Sequence, residues 1–175
     1  AVRGWMSPLL RSLSMPSRCQ ALLLGGVSVV VLIVLPARAT SWDAIDALRG
    51  RLTRAGVRVV QQDCSRRGLQ GLYHPRSDTL VVCRSHQTPA QVWDTLAHEA
   101  THRMQQCAGG PITDQRHHRS MAAALVRNHP AEIRSMRAYP REQQLAELEA
   151  RYTAKLPPQQ VLQLFDRYCG SQVRV

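Results

Sequence analysis

Apolar positions recur along this chain with two different periods. They predict short strands in its first half and helices beyond. Over 42–55, Trp42, Ile45, Leu48 and Leu52 follow a 3.6-residue period, with Ser41 placed to cap the run and Gly56 to stop it. Residues 57–60 read as a strand, and 72–73 and 79–83 as two more around a turn at 74–78. A long helical run follows from Thr88 to Gln106, ended by Cys107 and Gly109-Gly110. Residues 111–119 look loop-like and 120–128 helical. A short helix is expected over 130–138 and a longer one from Tyr139-Pro140 to about Lys155, where Pro157-Pro158 breaks it. The last helix is expected over 159–168. This order predicts an α+β fold: a small antiparallel sheet or hairpin followed by a mostly helical bundle.

The run from Thr88 holds the most informative pattern. Thr88 is suited to the N-cap and Pro89 to the first helical position. At roughly 100° per residue, Trp93, Leu96, Ala97, Ala100 and Met104 share one stripe. His98 and His102 fall on the opposite side. They belong to His98-Glu99-Ala100-Thr101-His102, an HExxH pentapeptide. Residues four apart on a helix are neighbours, so the two imidazoles can grip one metal ion while Glu99 reaches a water beside it. Arg103, directly after the motif, is a departure from the uncharged residue usual there.

Export changes the frame around that helix. Residues 21–35 are apolar and uncharged, preceded by Arg11 and Arg18 and followed by Ala37-Arg38-Ala39. A short apolar stretch before a small-residue A-x-A pattern is expected to be a secretory signal, residues 1–39. A start at Met15 would make it compact. An uncleaved anchor is the alternative, although membrane spans need about 20 apolar residues. Residues 40–175 are then one domain, periplasmic or secreted. Four of the 23 Lys and Arg residues and none of the 12 acids lie in the leader, which leaves a net charge of +7. Lys155 is the sole lysine. No nucleic-acid motif accompanies this charge, so no specific nucleic-acid partner is expected. Of the five cysteines, Cys19 falls in the leader. An even set of four remains, and three connectivities are possible. Cys64–Cys83 would brace the strand region, and Cys107–Cys169 would tie the end of the HExxH helix to the last helix.

A catalytic zinc takes three protein ligands and a water. Downstream candidates are His117, His118, His129, Glu142, Glu147 and Glu149. The predicted helix from Pro140 has Leu145, Leu148, Tyr152 and Leu156 as its apolar stripe. Glu149 lies on that stripe, whereas Glu147 lies about 160° away on the expected wet side. Glu142 suits the helix dipole. A buried carboxylate is costly unless paired or metal-bound, so Glu149 is the expected third ligand. Pairing of Glu149 with an arginine is the competing reading, and His129 is the fallback ligand. Asp94 is a candidate contact for His98. His117 and His118 are expected to be solvated.

These residues resemble the zincin-type metallopeptidases, and among them the gluzincin arrangement of two histidines from HExxH and a glutamate from a later helix. The match covers His98, Glu99, His102 and, through the reading above, Glu149. Gln105 and Ala108 stand where a metzincin has glycine and histidine, and the NExxxD signature is missing. The resemblance implies one Zn²⁺ per chain and hydrolysis of peptide bonds in a peptide or protein substrate by a zinc-activated water, with Glu99 as general base. It calls for an oxyanion donor, for which Tyr73, His74, Tyr139 and Tyr152 are candidates. An edge strand beside the helix could hold an extended substrate, with a plain structural hairpin as the equal alternative. Two other functions are open on the same residues: a zincin-like module that binds zinc without proteolysis, and a basic surface-binding domain in which HExxH is coincidental.

Overall fold

In the computed structural model, the described residues are 40–86 and 88–170. The expected leader, with Met15, Cys19 and the A-x-A pattern, lies outside them. The first described helix, α1 (Trp42–Arg54), starts where Ser41 Oγ accepts the Ala44 N–H at 3.4 Å, and it buries Ile45, Leu48 and Leu52. Trp42 does not join that stripe. It sits in the first turn at 56% exposure.

Three short strands follow: β1 (Arg58–Gln62), β2 (Gly71–His74) and β3 (Thr79–Cys83). They form one sheet in the order β1-β3-β2. The expected β2–β3 hairpin is antiparallel, while β1 runs parallel to β3. Both β1 and β2 are therefore edges. The hairpin turns through a 3₁₀ segment, Pro75–Ser77, and Asp78 closes it in the left-handed region (φ 44°). The Asp78 carboxylate accepts the Tyr73 hydroxyl at 2.8 Å and lies 2.9 Å from Arg103 Nε, an ion pair too oblique to be a hydrogen bond. Arg103, the residue out of place in the motif's flank, thus anchors the hairpin tip to the next helix.

That helix is α2 (Pro89–Ala108). A capping box between Thr88 and Gln91 starts it, with Pro89 at its first position. Gly109 ends it in the left-handed conformation (φ 71°). Trp93, Leu96, Ala97, Ala100 and Met104 are all buried, as their spacing requires. Gly71 lets β2 lie close against α2. A Cβ there would collide with Thr95 Cγ2 and come within 2.9 Å of the Val81 carbonyl.

Four helices complete the bundle: α3 (Gln115–Asn128), α4 (Pro130–Met136), α5 (Gln144–Ala154) and α6 (Pro158–Cys169). Helix α3 begins at Gln115, with Asp114 as its cap, so His117 and His118 are helical instead of lying in a loop. Residues 140–143 form a turn, so α5 starts four residues later than Pro140 suggests. Helices α2, α3 and α4 all pack on α5, while α1 and α6 pack on the other side of α2. Both expected disulfides are in place: Cys64–Cys83 and Cys107–Cys169 each have Cα atoms 5.5 Å apart. Among the described residues no helix is long and apolar enough to cross a membrane. Two disulfides fit an oxidising, extracytoplasmic setting.

Candidate metal centre

Helices α2 and α5 pack together, and small residues on each are buried. Ala97, Ala100 and Thr101 on α2 are fully buried, as is Ala150 on α5, flanked by Thr153 and Ala154. Small residues let the helices approach closely. Each side of that ridge carries a glutamate, Glu147 on one and Glu149 on the other, and both are buried. The two carboxylates do different things.

Glu147 faces the HExxH histidines. His98 Nε2 and His102 Nε2 are 3.2 Å apart. Glu147 Oε2 is 3.5 Å from the first, and Glu147 Oε1 is 3.4 Å from the second. Bonds of about 2.0–2.1 Å at tetrahedral angles put neighbouring ligand atoms about 3.3–3.4 Å apart, and the three groups, with one ligand atom each, lie within 4.8 Å of one another. Among the described residues this is the one group of His, Cys, Asp and Glu able to hold a metal ion. A further observation points the same way. Glu147 Oε2 is buried without a hydrogen-bond partner, and the His98 Nε2 nitrogen and the Arg151 Nη2 cation both stand 3.5 Å from it. A buried acceptor left open needs a cation or a donor.

The electrostatics keep the histidine pair from charging together. Burial, aided by the neighbouring His102, pushes His98 down to about 3. It is neutral and has a lone pair to give. Burial also opposes charge on His102, but the Glu147 hydrogen bond, the Glu99 charge and Gln105 outweigh it and raise that group. For Glu147 burial acts upward, and the two histidines and Arg151 outweigh it downward. It therefore stays a carboxylate.

Glu149, the expected third ligand, does not join this group. It is fully buried, and its two oxygens are already occupied. Oε2 accepts from Gln105 Nε2 at 2.9 Å and from the Ile112 N–H at 3.1 Å. Oε1 accepts from the Thr113 N–H at 2.9 Å and from the Thr113 hydroxyl. His118 Nε2 stands 3.6 Å away and meets Thr113 Oγ1 at 3.1 Å. The carboxylate is satisfied by backbone and side-chain donors, the option left out when metal and arginine were weighed. His117, His129 and Glu142 are exposed and far from forming any such group. Asp94 pairs with Lys155 at 2.6 Å instead of holding His98.

Glu99 lies beside the cluster at 7% exposure. Burial raises it to about 7, opposed by the His102 charge and a hydrogen bond from the Tyr73 backbone. His98 and Glu99 line a cleft of about 510 Å³, walled by Gly68–Gly71 on the sheet side and by Glu132, Tyr139 and Arg151 opposite. Of the four candidate oxyanion donors, Tyr139 lines this cleft, and the Arg151 guanidinium lies 5.6 Å from its ring centre. Tyr73 is turned to Asp78 and Gln106.

Fold and site together define a small α+β domain with a two-histidine, one-glutamate cluster that can hold a metal ion. Residues 81–170 match a family described as "Domain of unknown function (DUF8637)", and the chain belongs to that family. The matched span holds α2, both glutamates and three of the four paired cysteines. No curated protein and no solved structure matches the chain.

Proposed function

We propose that this chain is a small exported zinc-dependent peptidase in which His98, His102 and Glu147 hold the ion and Glu99 is the general base. The observation that carries this is the spacing of 3.2–3.5 Å among the three ligand groups, one of which, His98, lines a cleft together with Glu99. Zinc bound there would lower the pKa of a water and polarise a carbonyl. The neutral His98 and the ionised Glu147 supply lone pairs. Glu99 takes a proton from the attacking water and delivers it to the leaving nitrogen. The backbone of Gly68–Gly71, leading into an edge strand, offers an extended peptide a line of hydrogen-bonding groups along the cleft. Tyr139 is the donor best placed to meet developing charge on the substrate oxygen. The two disulfides support a periplasmic or secreted location.

A second reading, a zinc-holding module without hydrolysis, draws on one feature. Glu99 is nearly enclosed and accepts the Tyr73 N–H, which reduces its freedom to act as a base. Zinc quantification and peptide-library digestion on the same wild-type and Glu99→Ala preparations separate the readings. A peptidase binds one zinc in both and cleaves only as wild type. Zinc without cleavage by the wild type selects the module. Absence of stoichiometric zinc rejects both.

A further inference from the structure

Glu149 and Gln105 have a role that neither the motif nor the ligand cluster contains. We infer that Glu149, acting through Gln105, locks His102 into the tautomer that leaves Nε2 free to bind the ion. The inference rests on the metal site proposed above.

The orientation of the Gln105 amide follows from its neighbours. One side of the amide faces the Ala146 carbonyl at 3.0 Å and Glu149 Oε2 at 2.9 Å. Both neighbours only accept hydrogen bonds, so the two hydrogens of Gln105 Nε2 must point at them. A flipped amide would set its oxygen against a carbonyl and a carboxylate. Gln105 Oε1 is therefore the atom that meets His102 Nδ1, at 2.9 Å. An amide oxygen only accepts, so Nδ1 carries the hydrogen. In a neutral imidazole the other nitrogen, Nε2, is then bare, and Nε2 is the atom that faces His98 and Glu147.

Glu149 makes this arrangement one-way. Its position is fixed by the Ile112 and Thr113 N–H groups and the Thr113 hydroxyl. Those donors require it to remain an acceptor, and an acceptor there holds Gln105 Nε2 rather than Oε1 toward it. A fully buried carboxylate one helix face away from the metal cluster thus sets the proton position on one ligand. Partners of this kind orient metal-binding imidazoles. Gln105 and Glu149 are positioning residues and touch neither ion nor substrate.

Long-range ¹H–¹⁵N correlation spectra of zinc-free protein at alkaline pH, where His102 is neutral, read the tautomer directly. The wild type should show His102 protonated at Nδ1. Gln105→Met removes the acceptor while keeping side-chain length. It should move His102 toward the Nε2-protonated form and weaken zinc binding about 10–100-fold. Glu149→Gln, which frees the Gln105 amide to turn, should move both readouts the same way. Thermal melting of the zinc-free variants checks folding. A purely structural role would lower the melting temperature without moving the tautomer. An Nε2-protonated His102 in the wild type, or wild-type zinc affinity in Gln105→Met, overturns the inference. If the wild type binds no zinc at all, the metal reading falls, and the His102 tautomer still decides this one.

Discussion

Glu147 and Glu149 lie two residues apart on α5, and both are buried, yet they sit in opposite chemical situations. Glu149 has four donors for its two oxygens. Glu147 has one oxygen, Oε2, with none, and its two oxygens face His98 Nε2 and His102 Nε2 at 3.5 and 3.4 Å. Burial alone does not mark a ligand. An open acceptor beside two imidazoles is what sets Glu147 apart. The satisfied carboxylate belongs to the architecture, and the unsatisfied one to the group that could hold a metal ion.

The largest effect that could break this contrast is on the stability of the zinc-free protein. Glu149→Ala strips the acceptor from two buried N–H groups, a hydroxyl and the Gln105 amide, and should cost about 3–5 kcal/mol. Glu147→Ala removes a group with poor hydrogen bonding and should cost about 1 kcal/mol or less. Urea denaturation of both variants without metal checks the pair, and equal losses would erase the distinction. The Cys107–Cys169 bridge tethers α2 behind both glutamates across a separation of 62 residues. Its double alanine variant should lose about 4 kcal/mol while keeping a metal site of the same composition, read by calorimetry or chemical unfolding.

A smaller test disturbs only the Glu147 side. Gly71→Ala puts a methyl group against Thr95 Cγ2 and within 2.9 Å of the Val81 carbonyl, next to Glu99. Overpacking of this kind should cost about 1–3 kcal/mol. Adding Thr95→Ser should recover part of it, whereas no change at the Gln105–Glu149 side should. The smallest effect is pH-dependent. Burial raises Glu132, but its bonds to Lys155 and Arg151 outweigh this and lower it. A folded-state value below the unfolded one stabilises the protein above the ordinary glutamate range, and the contribution is lost as pH falls through the lowered value. Glu132→Gln should therefore cost about 1 kcal/mol near neutrality, with the gap to wild type closing in acid. A constant gap from pH 7 to pH 3 would contradict the assignment.

The sequence was most legible where side chains are large or chemically distinctive. Trp93, Leu96 and Met104 marked the core face of α2 and so left His98 and His102 free of it. The α+β order was readable from strand-like runs, and the even cysteine count pointed to two disulfides among three possible connectivities, of which the one found was favoured by position. Glu149 was preferred over Glu147 for the cluster because α5 was oriented by its big residues, Leu145, Tyr152 and Leu156, which turn out half-buried. The buried positions instead include Ala150, Thr153 and Ala154, whose small size gives a weak hydrophobic signal. The face that seemed wet meets His98 and His102 of α2 through Glu147, and Glu132 of α4 through Arg151. The start of α3 was hidden for a related reason. Its first turns, with His117, His118 and Arg119, lack apolar periodicity, and only Met121 and Leu125 are buried. Asp114, two residues ahead of the Arg116 N–H it accepts, was the available cue.

The most direct measurement is metal content after dialysis of wild type, Glu147→Ala and Glu149→Gln loaded with zinc at micromolar concentration. The account predicts one zinc in the wild type, none in Glu147→Ala, and one in Glu149→Gln, bound more weakly. Stoichiometric zinc retained by Glu147→Ala and lost from Glu149→Gln would contradict it.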